Sequence, residues 1–80
     1  MTAKGVAEEV SVSMTLEYET KGAIRFLELD DRGNPITKTN GQGKSVVDWE
    51  NPKLLIGNLY LRKMALNGKI PKTITVTINY

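Results

Sequence analysis

Between Gly57 and Tyr80 the chain carries Arg62, Lys63, Lys69 and Lys72 and no acidic residue, with Tyr60 and Tyr80 nearby. A guanidinium or ammonium next to an aromatic ring on an open sheet is how small β folds stack bases and hold phosphates. Tyr60, Arg62, Lys63, Lys69 and Lys72 are therefore the candidate contacts for nucleic acid or another partner. The same cations also read as a solvated rim that keeps a sheet edge from aggregating.

Other spacings suggest chemistry and then fall short of it. Glu17 and Glu19 alternate along a strand-like stretch. That sets them roughly 7 Å apart on its polar side, a separation suited to paired-carboxylate hydrolysis. A domain this small offers no deep cleft for it, so ion pairs with Lys21 and Arg25 are expected instead. Gly43-Lys44-Ser45 has the end of a phosphate-binding loop, but Lys38 stands where the first glycine is needed. Asp30, Asp31 and Asn34 offer oxygens for a cation, yet lack the alternate acids and distal glutamate of a calcium loop and read as a solvated turn. Histidine and cysteine are both absent, which removes the commonest general base, the strongest neutral-pH nucleophile and the usual zinc ligands. The expectation is a protein that is not an enzyme and uses no metal or cofactor.

The chain has 80 residues and reads as one domain with a small core. Without disulfides, such a core must rely on good packing or on self-association. Residues 1–36 hold seven acids against four cations, and residues 37–80 seven cations against two acids. This asymmetry fits an anionic partner, or two halves or subunits that pair. No apolar run is long enough for a membrane helix. The first residues lack the apolar core of a signal peptide. A cytoplasmic protein without a membrane partner is expected.

Positioning these residues falls to strands. Val10, Val12, Met14, Leu16 and Tyr18 alternate with polar residues, which predicts a half-buried strand with those five on one face. Gly22 offers a hairpin turn into a second strand over residues 23–29. There Ile24 and Phe26 oppose Leu27 and Leu29, so either both faces are covered or a bulge shifts the register. Residues 30–35 read as a turn and 36–45 as a polar loop. Trp49 is expected to cover an edge of the core.

Asn51-Pro52 and Asn67-Gly68 resemble the start and stop of a helix, but Gly57-Asn58 interrupts any stripe between them. A strand near residues 58–62 and a helical turn over 63–66 fit better. Ile74, Val76, Ile78 and Tyr80 then alternate with Thr73, Thr75, Thr77 and Asn79 in a final strand. The predicted fold is mainly β: a small antiparallel barrel or sandwich of about four strands with at most one short helix. Residues 1–9 are expected to form a disordered tail before a single domain over 10–80. The first and last strands offer edges for pairing with another chain. The expected role is thus interaction or structure, with a protein partner or self-association through an edge, and nucleic-acid binding by the basic half as the alternative.

Overall fold

A computed structural model describes residues 8–80. The chain is mainly β, as the alternation predicts. Among these residues six strands form in order: β1 Glu9–Glu19, β2 Ala23–Glu28, β3 Thr37–Thr39, β4 Ser45–Val47, β5 Asn58–Arg62 and β6 Thr73–Asn79. Four of them make a curled antiparallel sheet, a half-barrel ordered β5-β2-β1-β6. The other two pair as a separate hairpin.

Register places the apolar residues on the inside of the curl. Val10, Val12 and Met14 stand opposite Ile78, Val76 and Ile74. Leu16 stands opposite Phe26, and Phe26 and Ile24 stand opposite Leu59 and Leu61. Met14, Ile24 and Phe26 are fully buried, with Val12 at the margin of the cluster. The outer face is polar along β1 and β6, where Ser11, Ser13 and Thr15 face Thr77, Thr75 and Thr73. β-branched residues suit both rows, since they fill a pleated surface with little rotamer freedom to lose.

Both causes proposed for the uneven second strand are present, but the bulge lies in β1. Register slips between Leu16 and Tyr18. A bulge lets two residues oppose one and re-aims the side chains beyond it. Tyr18 therefore leaves the apolar row and stands opposite Arg25 on the outer face, while Glu19 stands opposite Ile24. Leu27 is buried on the outer side of β2.

The connection between β5 and β6 spans the whole sheet. Lys63 N–H donates to the Gly22 carbonyl at 3.0 Å, and Leu16 N–H to the Lys72 carbonyl at 2.8 Å. Residues 63–72 thus cross the end of the half-barrel past β2 and β1, and Leu66 packs on the core. Their first part is a 3-10 turn, Lys63–Leu66, which stops at Asn67 in the left-handed region (φ 55°). The sequence places this strand and turn at the same residues.

The opposite end is held by Glu28, which is 2% exposed. Its carboxylate accepts the N–H groups of Leu55, Ile56 (2.6 Å) and Gly57 (2.9 Å). Its own N–H donates to the Gly57 carbonyl, and its carbonyl accepts the Ile36 N–H. One residue thereby ties β2 to the segment entering β5 and to the start of the hairpin.

Three expectations need correction. The stretch expected as an open loop over 36–45 belongs to a hairpin, β3 and β4, that runs from Thr37 to Val47. Trp49 is 61% exposed and lies over Gly57 instead of the core. A Cβ on Gly57 would meet the indole at 2.5 Å, and its φ is +89°, so only glycine fits there. Glu9 begins the first strand, and just before it Glu8 and Tyr80 exchange both backbone hydrogen bonds. The rest of the expected tail lies outside the described residues.

A Glu28→Gln substitution should test the tie. The amide keeps the shape but turns donors toward backbone donors, and charge-assisted bonds of this kind contribute about 1.5–3 kcal/mol each. Urea unfolding followed by Trp49 fluorescence should show stability falling by about 2 kcal/mol or more.

Candidate functional site

The bulge builds a cluster on the outer face. Tyr18 on β1 and Tyr60 on β5 flank Arg25 on the strand between them. Their hydroxyls meet at 2.9 Å. The Arg25 guanidinium lies 5.7 Å from the Tyr18 ring centre and 5.8 Å from that of Tyr60, within cation–π range of both. Its Nε is 3.1 Å from Glu17 Oε1, close enough for an ion pair but without hydrogen-bond geometry. The tyrosines remain 41% and 53% exposed. The result is an arch of two phenols beside a cation, open to solvent above.

Electrostatics divide the two phenols. The hydrogen bonds from Tyr60 and Arg25 favour the Tyr18 phenolate and hold its pKa below the usual value. The same hydrogen bond to Tyr18, together with burial, raises the Tyr60 pKa.

The cations singled out from sequence have different surroundings. Tyr60 and Arg62 share the outer face of β5, opposite Leu59 and Leu61. Lys63 is turned to Glu19, with Nζ 2.7 Å from Oε1. Lys69 and Lys72 are exposed along the segment crossing to β6. Tyr18 and Arg25 were not legible as partners of Tyr60, because strict alternation points Tyr18 inward and only the bulge reverses it. The same bulge separates Glu17 from Glu19: one pairs with Arg25, the other with Lys63.

The remaining motifs are turns. Asp30 Oδ1 accepts the N–H groups of Arg32 and Asn34, both at 2.9 Å. These backbone bonds lower the Asp30 pKa. Asn40 Oδ1 accepts those of Gln42 and Lys44 in the same way. Gly33 and Gly43 occupy the matching left-handed positions at φ 82° and 78°. Gly43 N–H is taken by the Asn40 carbonyl, so Gly43-Lys44-Ser45 closes a hairpin and does not cradle an anion. A shallow cavity of about 320 Å³ lies between β1 and the first of these turns, lined in part by Ser11, Ser13, Glu28, Asp31 and Lys53. Among the described residues no cluster of acids suits a metal ion, and no helix is long and apolar enough to cross a membrane.

The edge of β6 is the other feature of note. Glu8 with Tyr80 and Leu16 with Lys72 fix which pairs of the β1–β6 ladder are hydrogen-bonded. In an antiparallel ladder such pairs alternate with pairs whose backbone groups point away. Thr73, Thr75, Thr77 and Asn79 are the latter, so their N–H and C=O groups face outward from β6, which among the described residues pairs only with β1. The strand contains no charge and no proline. The β5 edge is shorter and ends in Arg62 and Lys63.

Comparison with known protein families, curated proteins and solved structures finds no match.

Spectrophotometric titration should resolve the arch. One tyrosine should ionise below about 10 and another above it. Tyr60→Phe should return Tyr18 upward, and Tyr18→Phe should return Tyr60 downward. The contribution of Tyr18 to stability is lost as pH falls through its lowered pKa, and that of Tyr60 as pH rises through its raised one.

Proposed function

We propose that this chain is a non-enzymatic interaction module that receives an extended strand from another protein chain along β6. The observation that carries the reading is the unpaired edge of Thr73, Thr75, Thr77 and Asn79, seven residues of strand without a charge or proline to blunt it. Soluble β proteins usually protect such an edge. Strand addition uses backbone hydrogen bonds for affinity and alternate side chains for specificity. The inner side of β6 offers those side chains: Ile74 and Val76 are half-buried and Ile78 is 38% exposed. The lack of histidine and cysteine supports a role without catalysis. The cytoplasm is the compartment we assign, on the absence of cysteine.

The test is a synthetic extended peptide that alternates threonine with isoleucine or valine. Adding it should slow hydrogen exchange at the Thr75 and Thr77 amides. Thr75→Pro should abolish that protection and leave the sheet intact, because this N–H makes no bond among the described residues. Unchanged exchange at saturating peptide, measured at a dilution where sedimentation shows a monomer, would overturn the reading.

A second reading is single-stranded nucleic acid on the outer face, favoured by the exposed Tyr18 and Tyr60 with Arg25 between them and Arg62 on the same face. Exposed rings stack bases, and flanking cations hold phosphates. Binding of a labelled oligonucleotide should weaken as salt rises, with a slope of about 0.7 log unit per phosphate neutralised. Tyr60→Ala with Arg62→Glu should remove it. Salt-insensitive binding, or binding that survives both changes, counts against this reading.

A further inference from the structure

The β6 sequence reads almost the same in both directions. Thr73-Ile-Thr-Val-Thr-Ile-Asn79 is symmetric about Val76, with only Thr73 and Asn79 unmatched. We infer that the partner strand is β6 of a second copy, paired antiparallel about a two-fold axis at Val76. The inference rests on the strand-addition reading above and names its partner.

The geometry favours this arrangement at each level. A two-fold interface is self-complementary, so each residue must suit its mate under reversal of the strand. About Val76, Ile74 meets Ile78 of the second copy, Thr75 meets Thr77, and Val76 meets itself. The inner faces of both strands are apolar, so the apolar row of one half-barrel continues into the other. The threonines continue the outer row in which Ser11 and Thr77 already share a hydrogen bond at 2.9 Å. The outward N–H and C=O groups of Thr73, Thr75, Thr77 and Asn79 become bonded pairs, roughly eight hydrogen bonds in all. No charge lies on the strand to repel its copy. Lys72, just before it, is carried to opposite ends of the pair, whereas a parallel pairing would set the two Lys72 side by side. Burying Ile78 and the half-exposed Ile74 and Val76 adds the apolar contact that a small core lacks.

The register has a chemical signature. Val76 and its mate form a non-bonded pair with Cα atoms about 4.5 Å apart, inside the range a disulfide spans. Thr75 and Thr77 each stand two residues out of step with their own copies, beyond the ~7 Å limit. They stand opposite each other instead. The chain has no native cysteine to interfere.

Single-cysteine chains Val76→Cys, Thr75→Cys and Thr77→Cys would be oxidised mildly at a concentration where sedimentation shows dimer. Val76→Cys should cross-link at least roughly tenfold faster than either threonine variant. The double variant Thr75→Cys/Thr77→Cys keeps Val76, so it guards against a folding defect at that site. It should form a doubly bridged dimer although neither single variant does. Equal or faster cross-linking of Thr75→Cys or Thr77→Cys would overturn the Val76 axis. A monomer at every concentration would overturn the second copy as partner. Peptide-induced protection of Thr75 and Thr77 in that case would leave strand addition standing, and its absence would remove both.

Discussion

The carboxylate of Glu28 fixes the far end of the half-barrel. An open sheet of four strands buries its inner face only if something closes each end of the curl. At one end this is Leu66, carried by the chain itself as it passes from β5 to β6. At the other Ile56 packs on the same cluster, and the backbone N–H groups of Leu55, Ile56 and Gly57 converge on one buried side chain. Those amides belong to a segment without helix or strand, so they have no ladder partners and would be costly to bury unmet. Glu28 satisfies them and sets where β5 begins. The position of β5 then sets Tyr60 beside Arg25, and so the arch on the outer face follows from the tie on the inner one.

Much of this was readable from residue order. The alternation of β1 and β6 and the interruption at Gly57-Asn58 marked those strands, but the first, expected to offer an edge, has β2 on one side and β6 on the other. What stayed hidden was non-local. A single extra residue in β1 cannot be seen in a pattern of alternating polar and apolar types, since Leu16-Glu17-Tyr18-Glu19 satisfies the pattern whether or not it slips. The slip moves Tyr18 to the outside and decides which acid meets which cation. Glu28 was equally opaque, because a glutamate at a strand end is ordinarily solvated and its donors lie 27 to 29 residues away.

The hairpin over residues 36–47 was a different kind of omission, since its signal is local. Asp30 to Gly33 and Asn40 to Gly43 share one pattern, an Asx side chain and a glycine three residues on. Both pairs make the same turn with the same hydrogen bonds. The polarity of the second stretch disguised it, because a three-residue strand leaves little room for alternation. Side-chain oxygens that mimic a backbone turn are a firmer signal than hydrophilicity.

The crossing segment bears on how the sheet is assembled in time. β6 lies beside β1, and Ser11 and Thr77, which touch, are 66 residues apart in the chain. As the chain emerges during synthesis, β1 can pair with β2 and β2 with β5, yet one side of β1 stays bare until Thr73–Asn79 arrives. Over that interval Val12 and Met14 lack the neighbours that bury them. Closing so long a loop is slow relative to forming a local hairpin. The nascent chain therefore exposes an apolar strand edge late in its production, the condition under which chaperones are recruited and misassembly begins.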